Sequence, residues 1–356
     1  MEEKTYLFLI YSLYFIGTII LSFLINGIFL KFASNLGIRN SSETIIRWSS
    51  TSKPSLGGIS FYLIFLLSII CYAIFFKDSH ILLNKRLLGL LASCTLAFLM
   101  GLSDDAYNTR PLLKFLIQVS CALILITTGT YISMFQNSFL NYTLTLFWVV
   151  GLMNSINMLD NMDGITTIVS IGIILSAILM IKLNNDANNV NVFALIGVMA
   201  ALIGFLYFNW HPSKMFMGDT GSQFLGLFLA AMGIIYFWNP VNSNENYVES
   251  KHFFTTLLAF AIPLIDTTTV VINRIMKGKS PFVGGKDHTT HSLFFIGITE
   301  KRIAILYFGI CLVSMFFNVL IVKYIENWSI LHIILFSIYF ILLFWFLYAP
   351  ARKHGR

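Results

Sequence analysis

Carboxylates spaced among amides and glycines are the chemistry this chain offers. The first group is Asp104-Asp105, followed by Asn108, Arg110, Lys114 and Gln118. Two adjacent carboxylates repel each other, so a cation or a shared proton has to relieve them. Mg²⁺ suits such hard oxygen ligands and is commonly held by one or two carboxylates plus substrate phosphates; Mn²⁺ accepts the same donors. Lys114 and Gln118 stand four apart and share a helical face. Taken alone, the acidic pair reads equally well as the solvated end of a helix. The second group is Asn154, Asn157, Asp160, Asn161 and Asp163, closed by Gly164. Polar residues three apart on a helix stay nearly aligned, which makes a polar strip in an otherwise apolar stretch. The third group runs from Asn209 and Pro212 through Phe216 to Gly218-Asp219-Thr220-Gly221-Ser222. Glycines beside Asp219 let backbone amides approach a phosphate, and a helix beginning there favours anions. The fourth combines Asp266-Thr267 with a basic stretch ending Lys286-Asp287-His288-Thr289-Thr290-His291, suited to a polyanion. Arg47 and Lys53, ahead of Gly57-Gly58, add cations that fit a lipid phosphate headgroup.

The elements that position these groups are membrane spans. Hydrophobic residues make up 57% of the 356 positions and charged residues 11%, less than half the charge of an average soluble protein, about 25%. That excludes an ordinary soluble enzyme, a disordered chain and a disulfide-stapled mini-domain. Cys71, Cys94, Cys121 and Cys311 sit in apolar stretches with no CxxC or Cys/His pair, so zinc and redox chemistry have little support. A crossing helix needs about 20 mostly apolar residues. The apolar runs predict eleven spans, near 6–30, 57–76, 87–103, 111–129, 140–156, 164–183, 191–209, 220–238, 253–275, 302–322 and 328–348. The expected fold is an all-α polytopic membrane protein with short loops, a single domain over 1–356. The first run lacks the basic start and small-residue cleavage site of a signal peptide, so it is expected to be retained.

Charge then orients the spans. With the N-terminus outside, the cytoplasmic connections hold Lys31, Arg39, Arg47, Lys53, Arg110, Lys114, Lys214, Arg274, Lys277, Lys279, Lys286, Lys301 and Arg302, and the C-terminal tail adds Arg352, Lys353 and Arg356. The opposite face keeps Lys4, Lys77, Lys85, Arg86, Lys182, Lys251 and Lys323. The net charge of +7 therefore reads as topology in a cytoplasmic membrane, C-terminus inside, and calls for no nucleic acid. The same topology puts the acids of four separate groups on one face. Carboxylates near membrane depth are rare and usually functional.

These motifs, in this order, resemble the polyprenyl-phosphate N-acetylhexosamine-1-phosphate transferases (glycosyltransferase family 4), and among them the undecaprenyl-phosphate N-acetylglucosaminyl-1-phosphate transferase branch most. The matching strings cover roughly residues 40 to 300: Lys53 to Gly58, Asp104-Asp105 with Lys114 and Gln118, Asn154 to Gly164, Asn209 to Ser222, Asp266-Thr267 and the His-bearing loop. The resemblance implies ten or eleven spans and a cytoplasmic active site. It implies Asp219 as the Mg²⁺ ligand with Asn157 near the ion, and a catalytic group of Asp104, Asp105, Lys114 and Asp160. It puts Phe216, Asp163 and Asn209 against the nucleotide, and Lys53, Arg47, Lys286, His288 and His291 against phosphate, sugar or lipid phosphate. The family's last motif usually reads His-x-His-His followed by Arg; here it is His288-Thr289-Thr290-His291-Ser292. Lys286 is the nearby cation that offsets the loss.

The implied reaction moves an N-acetylhexosamine-1-phosphate, GlcNAc-1-phosphate above all, from a UDP-sugar to polyprenyl phosphate and releases UMP. The partners are then the UDP-sugar, the lipid and the bilayer, with a homodimer admitted as the assembly. Two alternatives stay open. One is a phospho-muramyl-pentapeptide transferase, made less apt by that branch's different His-rich ending. The other is a cation-coupled transporter, which expects acids near the bilayer midplane and repeated, interrupted helices.

Overall fold

The computed structural model describes residues 2–33, 53–76, 83–184, 190–239, 248–280 and 285–354. Arg47 lies outside the described residues. The regular elements of the described chain are helices: α1 (Glu2–Ala33), α2 (Gly57–Phe76), α3 (Lys85–Tyr107), α4 (Pro111–Thr127), α5 (Ser138–Leu159), α6 (Ile165–Leu183), α7 (Val190–Asn209), α8 (Gly218–Gly233), α9 (Glu249–Ala259), α10 (Ala261–Met276), α11 (Thr289–Phe295), α12 (Glu300–Val319) and α13 (Ile330–His354). Among the described residues nine helices are long and apolar enough to cross a membrane, ten if a bent pair counts as one. The chain is a multi-pass membrane protein.

Two of the eleven expected spans come out differently. α4 has 17 residues, about 25 Å at 1.5 Å per residue, short of a hydrocarbon core of about 30 Å. The expected continuous span over 253–275 is two helices, α9 and α10, bent by 80°. The break falls at Phe260, and Pro263 follows in the first turn of α10, where a missing N–H breaks no helical bond.

α8 is the buried axis of the molecule, packed by α2, α3, α5 and α6. α1 and α13 leave long rows of Leu, Ile and Phe exposed, as a lipid-facing helix should. Small residues let the inner helices close on α8. A Cβ at Gly101 would strike the Asp219 carbonyl, and one at Gly58 would strike the Gly221 amide. The up-and-down order brings the ends of α3, α5 and α7 and the starts of α2, α4, α6 and α8 to a single face. The first three groups singled out in the sequence, and Lys53, lie at those ends or in the loops beside them; Asp266-Thr267 lie within α10, and Lys286 to His291 run into the start of α11. The cysteines are free thiols, two of them buried.

Candidate active site

Asp105 organises the start of α8. The Asp219 N–H donates to its Oδ1 at 3.0 Å, and the Thr220 N–H and hydroxyl donate to its Oδ2 at 2.8 and 2.6 Å. The first amides of a helix have no partner within the helix, and a carboxylate there also meets the positive end of the dipole. The chain reaches this geometry through Gly218, whose φ is +77° and whose missing Cβ leaves room for Asp105 Oδ2. Asp104, on the same turn of α3, takes the Thr109 N–H and hydroxyl on Oδ1, at 2.8 and 2.6 Å, and pairs with Lys114 through Oδ2.

Lys114 also donates to Asp219 Oδ2 at 2.8 Å. Asn157 donates to Asp219 Oδ1 at 2.7 Å and to Ser222 Oγ at 2.8 Å. Asp104, Lys114, Asn157 and Asp219, from four helices, therefore form one connected set. One turn deeper, Gln118 exchanges hydrogen bonds with Asn154 at 2.8 and 3.3 Å and donates to Gln223 Oε1 at 3.1 Å, which pins α4 to α5 and α8. Asp160 ends α5 and is half-buried. It has no cation partner among the described residues, and burial, then the charges of Asp219 and Asp105, push its carboxyl up to about 7. An acid in that position fits a divalent ion. Asp219, Asp160 and the amide oxygen of Asn157 are hard donors of the kind Mg²⁺ takes.

The segment of Lys53 to Gly58 pairs with the loop before α8. The Phe216 N–H donates to the Pro54 carbonyl at 3.0 Å, and Gly57 and Gly58 donate to the carbonyls of Phe216 and Met217 at 3.3 and 3.1 Å. Lys53 Nζ then lies 5.0 Å from the centre of the half-exposed Phe216 ring. It also donates to Ser213 Oγ at 3.0 Å and stands 3.8 Å from Asp163 Oδ2. Asp163 accepts the Ser213 N–H and hydroxyl at 2.9 and 2.7 Å, and His211 Nδ1 lies 3.2 Å from it and 2.9 Å from Glu300. Asp163, His211 and Glu300 thus offer three ligand atoms within 4.8 Å of one another, although Asp163 already has protein donors. Asn209 is buried with its amide committed: it accepts from Gly164 N–H and Thr167 and donates to the Met215 carbonyl. It shapes the loop that carries Phe216.

The His-bearing loop is locked from behind. Arg274 grips Asp287 through two N–H groups at 2.7 and 2.8 Å. Burial opposes ionisation of Asp287, but this guanidinium outweighs it and holds the carboxyl below its usual range. His288 Nδ1 lies 2.8 Å from Asp266 Oδ2, and Thr289 donates its N–H and hydroxyl to Asp266 Oδ1 at 2.8 and 2.5 Å. His288 and His291 are both buried. Burial, with His288 alongside, pushes His291 down to about 3, so it is neutral near pH 7 and brings no positive charge to a phosphate. Lys286 is the exposed cation of this loop.

The model of the family described as "Glycosyl transferase family 4" matches residues 87–237. The phospho-N-acetylmuramoyl-pentapeptide-transferase of Staphylococcus aureus (strain MSSA476) is 30% identical over 289 residues, covering 74% of this chain and 83% of that protein. The chain belongs to glycosyl transferase family 4. Similarity extends to the "probable undecaprenyl-phosphate N-acetylglucosaminyl 1-phosphate transferase" of Bacillus subtilis (strain 168), 28% identical over 298 residues, 81% of this chain and 78% of that one. The decaprenyl-phosphate N-acetylglucosaminephosphotransferase of Mycobacterium leprae (strain TN) is 28% identical over 288 residues, 72% of this chain and 70% of that one. This family 4 member is accordingly a transferase, and the matched stretch runs from α3 to the end of the turn after α8. It contains Asp104, Asp105, Lys114, Asn157, Asp160, Asp163, Asn209, Phe216 and Asp219. Lys53 and the His loop fall outside it and join the site through tertiary contact.

Several contacts in this family 4 site carry no sequence signal of their own. Thr109, Ser213 and Glu300 are ordinary residue types until the fold sets them on Asp104, Asp163 and His211. Ser222 and Gln223 stand within a motif, and their helical offset from Asp219 is the one cue available. Asp104, Asp105, Asp160, Asp163 and Asp219 stand at or beside helix ends, unlike the arrangement a coupled transporter requires, whereas Asp266 lies inside α10.

Proposed function

We propose that the chain transfers N-acetylhexosamine-1-phosphate, GlcNAc-1-phosphate first among them, from a UDP-sugar to polyprenyl phosphate at the cytoplasmic face of the cell membrane. UMP leaves, and the lipid becomes a polyprenyl-diphosphate sugar. The observation that carries the reading is the single constellation of Asp219, Lys114, Asn157 and the Asp104-Asp105 pair, at one end of the bundle, in a chain of this family. A phosphate oxygen of the lipid attacks the β-phosphorus of the donor, and the bond from that phosphorus to the UMP oxygen breaks. Lys114 and Lys53 offset the charge of two anionic substrates, and Phe216 offers a ring face to the uracil. Held by Asp219, Asp160 and Asn157, Mg²⁺ would supply charge neutralisation at the diphosphate. A phosphomonoester has a second pKa of about 6, so the lipid phosphate is mostly dianionic near neutrality and needs little base. Both oxygens of Asp105, and both of Asp104, already have protein partners. That favours the pair as electrostatic organisers over a covalent nucleophile; a phosphoryl-enzyme trapped without lipid would reverse the assignment.

The test is UMP release by membranes containing the protein, given polyprenyl phosphate, Mg²⁺ and a panel of UDP-sugars. Release is expected with UDP-GlcNAc and is expected to stop with a chelator and return with Mg²⁺ or Mn²⁺. UDP-N-acetylmuramoyl-pentapeptide belongs in the panel because of the Staphylococcus aureus relative; turnover of that donor alone would move the assignment to it. No release from any UDP-sugar would remove the proposal.

A further inference from the structure

The loop of Lys286 to His291 reaches the rest of the site through a contact that the known motifs do not describe. Thr290 Oγ1 donates to Asn161 Oδ1 at 2.6 Å, and Asn161 Nδ2 donates to the Met158 carbonyl at 3.0 Å. Asn161 stands in the turn between α5 and α6, beside Asp160 and two residues before Asp163. Thr290 is fully buried, so water cannot take the place of the lost partner. Its hydroxyl stands where the resembled motif has histidine. Other bonds of the loop tie it backward: Arg274 to Asp287, Asp266 to His288 and Thr289, and Thr289 to Tyr307 at 2.6 Å. Asp266, Arg274 and Tyr307 belong to α10 and α12, whereas Asn161 belongs to the acidic turn.

We propose that the Thr290–Asn161 hydrogen bond is a tie that fixes the His-bearing loop against the Asp160–Asp163 turn, so that both residues position the site for the sugar nucleotide. The proposal rests on the transferase reading given above. A donor that meets Phe216 and the Asp163 loop at its nucleoside end and Lys286 near its phosphates spans the two bodies that the tie joins. Ser155 still holds α5 to α10 through Pro263 and Thr267, so loosening the tie frees the loop locally, which weakens donor binding before it alters the chemical step.

The experiment compares Thr290→Val, which keeps the shape and removes the donor, with Thr290→Ser, which keeps the donor, and adds Asn161→Leu alone and combined with Thr290→Val. Thr290→Val is expected to raise the KM for UDP-GlcNAc about ten-fold with kcat changed less, the loss of one buried hydrogen bond. Thr290→Ser should stay within about two-fold of wild type, and the double variant should be no worse than the worse single one. Amide hydrogen exchange over 158–165 and 285–295 should quicken in Thr290→Val and Asn161→Leu but not in Thr290→Ser. A wild-type KM in Thr290→Val, additive effects in the double variant, or unchanged exchange would each overturn the tie. Should the wild type release no UMP from any UDP-sugar, the transferase reading falls, and the exchange data still decide whether the tie exists.

Discussion

At the scale of single residues, the two neighbouring aspartates of α3 do different work. Asp105 receives two amides and a hydroxyl at the head of α8, whereas Asp219 stands among Lys114, Asn157 and the charge of Asp160. Asp219→Asn is expected to lower kcat/KM at least about a hundred-fold, the usual consequence of removing one preorganised charge, while leaving the unfolding temperature in detergent at or above that of wild type. Asp105→Asn should lose activity and also about 1–2 kcal/mol of stability, since it weakens a cap and a charge–dipole contact together. Equal unfolding temperatures for the two variants would contradict this division. Asp104-Asp105 is legible in the sequence as a site because paired carboxylates demand a cation. Which of the two caps a helix is not legible, because the partner amides belong to residues 114 and 115 positions further along.

At the scale of elements, α10 and α11 are joined by Arg274–Asp287, and this joint has a pH signature. Despite burial, the Arg274 guanidinium holds the folded pKa of Asp287 below the ordinary carboxylate value. Its contribution to stability is therefore complete above the unfolded pKa and lost as pH falls through the lower, folded one. Thermal unfolding in detergent should show wild type more stable than Asp287→Asn at pH 6, with the gap closing as pH drops below about 4; a gap independent of pH would refute the ion pair as its source. The loop's basic character was visible in the sequence. The burial of His288 and His291 was not, since it depends on α11 lying against α12 and α13. The same holds for the ninth span, where an apolar run of sufficient length concealed the 80° bend: hydropathy counts residues and is silent about direction.

At the scale of the whole molecule, the alternation of helix ends gathers the acidic groups at one face, and the Lys/Arg distribution supports the proposed assignment of that face to the cytoplasm. A cysteine in place of Lys301, exposed at the start of α12, should resist a membrane-impermeant maleimide in intact cells and react after lysis. A cysteine in place of Lys4 should react in both. The reverse pattern would place the acidic site outside, where no UDP-sugar is supplied, and would end the proposed function.

Composition by itself determined the membrane class, because lipid exposure needs apolar helices, and motif order picked out acids that the fold brings together, because a polar residue at a helix end needs a reason. Only the tertiary structure decided how those residues divide the work. Asp105 became a cap, Asn209 a buried brace and Thr290 a partner of Asn161 through contacts between segments far apart along the chain. Local spacing records what one helix presents, and it holds no information about which other helix meets it.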